Sequence, residues 1–140
     1  MSDQAVKDAP KAETRKIPAP VVTIESKPFW DAAAEGRFLI KRCKACGKAH
    51  WYPRAVCPIC FSTDTVWEES PGEGVIYTYS VMHRSPTGPY AIGYVTLDEG
   101  PAVLTNFVDC DLGALAIGQR VKVKFQDTES GPPVPVFSPV

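Results

Sequence analysis

The amino-acid sequence predicts a mainly β protein in which a short N-terminal helix and a metal-binding ribbon precede a small closed five-stranded barrel. Three observations carry this expectation. Two C-x2-C pairs, Cys43/Cys46 and Cys57/Cys60, lie ten residues apart. From Val75 onward apolar residues recur with a period of two, as expected of half-buried strands. Each of these runs ends in Gly, Pro or Asp turn signals, with almost no helical pattern between them. A chain of 140 residues with a net charge of −1 suits one compact unit or two very small ones and excludes a large enzyme core.

Residues 1–21 mix Lys, Asp, Glu, Ala and Pro with almost no large apolar side chain, and a flexible tail is expected there. Residues 22–69 are read as helix plus ribbon and 70–140 as the barrel. Ser26 stands at an N-cap position with Pro28 in the first turn, and Gly36 ends the helix after Glu35. Phe29 and Trp30 are neighbours on that helix; the expectation is that both pack on the ribbon, with docking of at least one onto a partner as the competing reading. In the barrel the predicted strands begin at Val75 and cover Tyr90–Asp98, Ala102–Val108 and Arg120–Gln126, with Val134–Phe137 as a short edge strand. Closing the sheet antiparallel would remove exposed edges.

Two residues between paired cysteines let a tight turn aim both sulfurs at one ion, and Gly47 suits a positive φ beside the first turn. Cys43, Cys46, Cys57 and Cys60 would saturate a tetrahedral Zn2+ and leave no position for water or substrate, so the zinc is expected to be structural. Cytosolic thiols stay reduced, which makes a disulfide framework a poor fit for five cysteines. His50 is superfluous as a ligand and is expected at the surface or behind the site. Cys110 is expected to be a small, half-buried apolar residue.

Charge is unevenly placed. Gly36 to Thr63 contains no Asp or Glu but carries Arg37, Lys41, Arg42, Lys44, Lys48 and Arg54, whereas the barrel half is mildly acidic. No apolar run is long enough to span a bilayer and residues 1–16 lack a signal-peptide core, so a soluble, cytoplasmic protein with no membrane partner is expected.

The order FWDAAAEGRFLIKRCKACGKAHWYPRAVCPIC, PGEGVIYTYSV, PYAIGYVTLDEG and LAIGQRVKVKF, closing near PVFSP, resembles the zinc-ribbon plus OB-fold proteins associated with acyl-CoA enzymes, over about residues 22–140. Phe61 is the departure in the ribbon, at a position where a glycine often follows the second cysteine pair. The resemblance implies a rubredoxin-like zinc ribbon, an OB-fold barrel and a non-catalytic subunit. The implied partner handles CoA thioesters: a thiolase-type enzyme foremost, otherwise a MaoC-like hydratase or a retro-aldol enzyme. The small subunit would stabilise the assembly and line the path of the CoA arm. Candidate contacts to CoA or to the partner are Arg42, Lys44, Lys48 and Arg54 on the ribbon, where no local carboxylate competes for phosphate, and Arg84 and Tyr90 at the stiff loop 83–90.

Two other function classes compete. Catalysis by the chain alone is disfavoured, because no nucleophile, base and acid converge in the pattern and Asp98-Glu99 reads as a solvated turn pair. Nucleic-acid binding is the alternative, since both modules occur in that role, and Tyr77, Tyr79, Tyr90 and Tyr94 alternate along strands. The acidic barrel speaks against it.

Overall fold

A computed structural model describes residues 17–140. The expectation of a flexible segment at residues 1–21 lies largely outside the described residues. The described chain contains a helix α1 (Lys27–Ala34), strands β1 (Phe38–Cys43), β2 (Ala49–His50) and β3 (Thr65–Ser70), and then β4 (Glu73–Met82), β5 (Tyr90–Leu97), β6 (Ala102–Phe107), β7 (Arg120–Gln126) and β8 (Val134–Pro139). A single 3-10 turn, Leu112–Ala114, precedes β7. No described helix is long and apolar enough to cross a membrane.

Local chemistry sets the ends of α1. The N-terminal turn includes a proline, whose missing N–H is no loss there. Ser26 holds the N-cap position but does not cap, because its hydroxyl is 3.0 Å from that of Thr23 and no side-chain bond reaches the helix amides. At the other end Gly36 takes φ +79, its N–H reaches Ala33 O at 2.9 Å, and Arg37 N–H reaches Ala32 O at 2.9 Å. That double bond satisfies two terminal carbonyls and turns the chain directly into β1.

The ribbon is a three-stranded sheet in the order β2-β1-β3, and the barrel closes as β4-β5-β6-β8-β7. Two features differ from the sequence reading. Strand β8 is no edge: it lies between β6 and β7, pairing antiparallel with β7 from Val121↔Pro139 to Gln126↔Val134. Its contact with β6, at Phe107↔Phe137, is parallel, so the barrel is not wholly antiparallel. The alternation of Val134, Val136 and Ser138 looked like a short edge because prolines at 135 and 139 thin the ladder.

One core joins the parts. Phe29 and Phe38 are fully or almost fully buried, with ring centroids 5.8 Å apart, and Phe38 reaches the barrel rings of Phe137 at 6.2 Å and Phe125 at 6.4 Å. Trp30 is also buried and its Nε1–H donates to Tyr52 Oη at 2.9 Å. Helix aromatics therefore face inward, in keeping with the packing reading and against the competing one in which a partner covers one of them. Each buried ring stabilises by about 1.5–3 kcal/mol, with a further ~0.5–1.5 kcal/mol for edge-to-face pairs.

Gly93 sits where β5 passes under β4, opposite Tyr79, and a Cβ there would overlap the Thr78 carbonyl oxygen and lie 2.7 Å from Tyr79 Cα. Backbone cannot yield as a side-chain tip can. Gly93→Ala should lower unfolding free energy by about 1–3 kcal/mol in urea titration. Gly113→Ala, whose Cβ would meet nothing nearer than 3.5 Å, should change it by less than about 0.5 kcal/mol.

Candidate functional site

Two turns of nearly identical design face each other. In the first, Gly47 N–H bonds Cys43 O at 2.9 Å and Cys43 N–H bonds Lys48 O at 3.0 Å. In the second, Phe61 N–H bonds Cys57 O at 2.9 Å and Cys57 N–H bonds Ser62 O at 2.8 Å. The fifth residue of each turn is left-handed, Gly47 at φ +76 and Phe61 at φ +67. Antiparallel pairing from Phe38↔Ser70 to Cys43↔Thr65 anchors the first turn to β3.

These turns bring the four sulfurs within 4.8 Å of one another. Cys43 Sγ and Cys60 Sγ are 3.5 Å apart, and Cys46 Sγ and Cys57 Sγ 3.8 Å. A tetrahedral zinc with Zn–S bonds near 2.3 Å requires sulfur–sulfur edges of about 3.8 Å, so the donor set fits the ion in size as well as in chemistry. The Cys60 amide, helped by that of Ile59 against the effect of burial, draws the Cys57 thiol down to about 7. At Cys60 the lowering effect of the Ser62 amide is outweighed by crowding from the other thiols, which pushes it up to about 11, so the cluster sheds one proton readily and the rest only to a cation. Structural zinc is the cofactor of this centre.

The basic ribbon is less free than its sequence implies. Arg42 grips Glu68 through Nε–Oε1 at 2.8 Å and Nη2–Oε2 at 3.0 Å, and its Nη1 donates to Gly47 O at 2.8 Å. That pair holds the Glu68 carboxyl below its usual range. The expectation that no carboxylate competes for Arg42 is thus corrected: the competitor arrives across the sheet from β3, outside the acid-free stretch. Lys41 is buried, with Nζ 4.6 Å over the Trp67 ring and donating to Thr65 Oγ1 at 3.2 Å.

A cleft of about 570 Å3 lies between the ribbon and the β5–β6 turn, lined among others by Arg42, Lys48, His50, Trp51 and Glu99. His50 is buried at 5% exposure rather than lying at the surface, and neither ring nitrogen has a hydrogen-bond partner among the described residues. Burial pushes its pKa down against the opposing effect of the Arg54 main chain, and the charges of Lys41 and Arg54 add smaller lowering effects. Trp51 Nε1 and Glu99 Oε1 are likewise buried without a partner. Glu99 is therefore only half-exposed, with one carboxylate oxygen turned away from solvent, and Asp98 is spoken for by Arg120 at 2.8 and 2.9 Å, so the turn pair is less solvated than the sequence suggests. Neither His50, Trp51 nor Glu99 carries a signal in the sequence that would place them together, because the cleft forms only when ribbon and barrel pack.

The predicted contact residues fall into separate groups. Arg42 and Lys48 border the cleft, Arg54 lines a shallow concavity behind the second knuckle, and Lys44 is exposed on the first. Arg84 and Tyr90 stand at the start of β5, whereas the cleft borders its far end. Eight residues of strand separate those ends by roughly 25 Å. Cys110 packs half-buried against the core, as expected, and burial raises its thiol pKa.

Residues 30–66 match the family described as ChsH2, rubredoxin-like zinc ribbon domain, and residues 67–126 match ChsH2, C-terminal OB-fold domain. A chain of the solved Ltp2-ChsH2(DUF35) aldolase is similar with a TM-score of 0.75 and 31% identity, over 86% of this chain and 98% of that one. A probable enoyl-CoA hydratase alpha subunit of Thermomonospora curvata is 32% identical over 126 residues, 87% of this chain and 40% of the relative. A DUF35 domain-containing scaffold protein of Methanocaldococcus jannaschii is 37% identical over 92 residues, 61% of this chain and 64% of the relative. The chain thus spans less than two thirds of the length of these two curated relatives. With both modules in this order and the four sulfurs in place, the chain belongs to the DUF35 family of ChsH2-type zinc-ribbon and OB-fold proteins.

Proposed function

We propose that this chain is the non-catalytic, zinc-stabilised small subunit of a cytoplasmic assembly that acts on CoA thioesters. The observation that carries this reading is its match to 98% of a chain solved within an aldolase of two named components. The relative called a hydratase alpha subunit and the relative called a scaffold support it. The catalytic partner is assigned as a thiolase-type condensing or cleaving enzyme, with hydratases and retro-aldol enzymes as the neighbouring possibilities of the same class. Cys43, Cys46, Cys57 and Cys60 are its zinc ligands, and four thiolates leave the ion nothing to offer a substrate. Its contribution to chemistry is then positional: it holds the partner's shape and presents cations to the phosphates of the CoA arm.

Within the predicted contact set, Lys48 at the cleft, Lys44 and Arg54 on the ribbon, and Arg84 with Tyr90 at loop 83–90 are proposed as CoA or partner contacts. Arg42, already gripping Glu68, serves the first knuckle before any ligand. The nucleic-acid alternative gains little from the barrel. Exposed Tyr77 and Tyr94 lie on strands β4 and β5, and neither these nor β6 carries a single Lys or Arg to track phosphates.

Purified protein should contain one zinc per chain by elemental analysis. Cys57→Ser should lose the metal and most of its soluble yield, while Cys110→Ser keeps both; iron, or well-folded protein without metal, would contradict the assignment.

In thiolysis, hydration and retro-aldol assays the isolated chain should show no turnover, and activity should appear only with the co-purifying enzyme. In that complex Lys48→Ala should raise KM for the acyl-CoA by about two- to fivefold at low salt with kcat unchanged, as befits one exposed charge. Turnover by the chain alone, surviving stringent purification, would overturn the subunit reading.

A further inference from the structure

The two zinc knuckles offer an internal comparison. Their hydrogen bonds correspond residue for residue, yet the left-handed position holds Gly47 in one and Phe61 in the other. A Cβ makes that conformation unfavourable, and for a bulky residue it is a genuine outlier. The knuckle's hydrogen bonds and its four converging sulfurs hold the backbone of Phe61 in that conformation, but the isolated fold leaves the side chain itself 76% exposed. Ile59 at 48% and Val56 at 43% exposure stand beside it on the same loop. The second knuckle therefore ends in an apolar tip that neither local conformation nor the chain's own packing favours.

The charges around the tip say what kind of surface would cover it. Lys44 and Arg54 have no ion-pair partner among the described residues; of the acids close by, Glu25 in the same shallow concavity uses its carboxylate on the Ala55 amide at 2.6 Å, and exposed Asp64 accepts the Lys44 amide through its main-chain carbonyl at 2.8 Å. A second copy docked tip to tip would set these cations against their own kind, which disfavours self-association. An apolar pocket rimmed by carboxylates would satisfy both the ring and the cations.

We propose that Phe61, with Ile59 and Val56, is the anchor by which the ribbon docks into an acid-rimmed apolar pocket of the large catalytic subunit. The inference rests on the subunit reading above and adds the contact that reading lacks. A single aromatic buried at the centre of an interface and ringed by charges that exclude water is the usual anatomy of an energetic hot spot. A bulky residue at this left-handed position costs the free chain some stability, and burial of its ring in the complex gives a reason for keeping it.

This makes the signs of two effects opposite, which a packing role cannot do. Full-length Phe61→Gly, checked for one zinc per chain, should melt a few degrees above the wild type because the left-handed residue is relieved. It should bind the purified partner enzyme, identified by mass spectrometry of the wild-type complex, at least tenfold more weakly. Phe61→Asn, which also tolerates this φ, should behave alike, and Ile59→Ser should weaken binding without loss of zinc. A marked fall in melting temperature for both Phe61 variants would make the ring a structural residue of the monomer and overturn the proposal. So would unchanged affinity, a wild-type dimer that the variants abolish, or flotation of the wild type alone with phosphatidylserine vesicles. If the wild type captures an acyl-CoA enzyme and the variants capture it equally, the anchor alone falls. If the wild type captures none, the subunit reading falls and the anchor's partner with it.

Discussion

Four sulfur atoms held within 4.8 Å constrain nearly everything N-terminal to the barrel. The ribbon has little else to fold around: β2 is two residues long, and the loop 51–64 carries no regular element. An isolated ribbon of this size buries too little apolar surface to offset its ordering entropy, so ion binding and folding are one equilibrium. Once the sulfurs converge, the two turns fix the ends of β1 and β3, and the register of that pair carries Phe38 to one end of the sheet and Cys43 to the other.

Phe38 transmits this order to the barrel. Its ring meets Phe29 of the helix on one side and Phe125 and Phe137 of β7 and β8 on the other. The covalent connection is equally tight. Only residues 71 and 72 separate β3 from β4, Gly72 holds φ +70, its carbonyl accepts from Val123 N–H at 2.8 Å, and any Cβ on it would strike the Val123 side chain. Ribbon and barrel are therefore one packed body with a shared core, and the cleft between them is a fixed feature rather than a hinge.

Much of this was legible in the sequence because the signals were local. Two C-x2-C pairs specify two knuckles, Gly36 specifies the end of a helix, and the alternation of Val121, Val123 and Phe125 specifies a strand face whatever packs on it. Pairings distant in sequence were illegible. Nothing local marks Glu68 as the partner of Arg42, so an acid-free basic stretch looked available for phosphate when cross-strand geometry had already claimed one of its cations. The insertion of β8 between β6 and β7 and the meeting of His50, Trp51 and Glu99 in one cleft have the same origin. Each depends on which faces meet, which period and composition do not encode. Phe61 is the reverse case: the residue stood out in the sequence, and only its φ shows that the departure carries strain.

Closure of the barrel limits how such a protein can engage an enzyme. With β4 paired to β5 and β7, β5 to β6, and β8 to both β6 and β7, the barrel offers no strand edge to extend a partner's sheet, so its contacts must be made by side chains and loops, and the open edges β2 and β3 belong to the ribbon. The proposed contacts lie at opposite ends of the molecule, the knuckles and cleft at one and loop 83–90 roughly 25 Å away along β5 at the other. One compact ligand site cannot span that distance, but a broad partner surface can. A rigid body held by a closed metal site and a shared aromatic core is well suited to fix two such contacts relative to each other. In that arrangement a zinc ion that touches no substrate would still act on catalysis, by setting where the ribbon's cations lie when the partner binds its thioester.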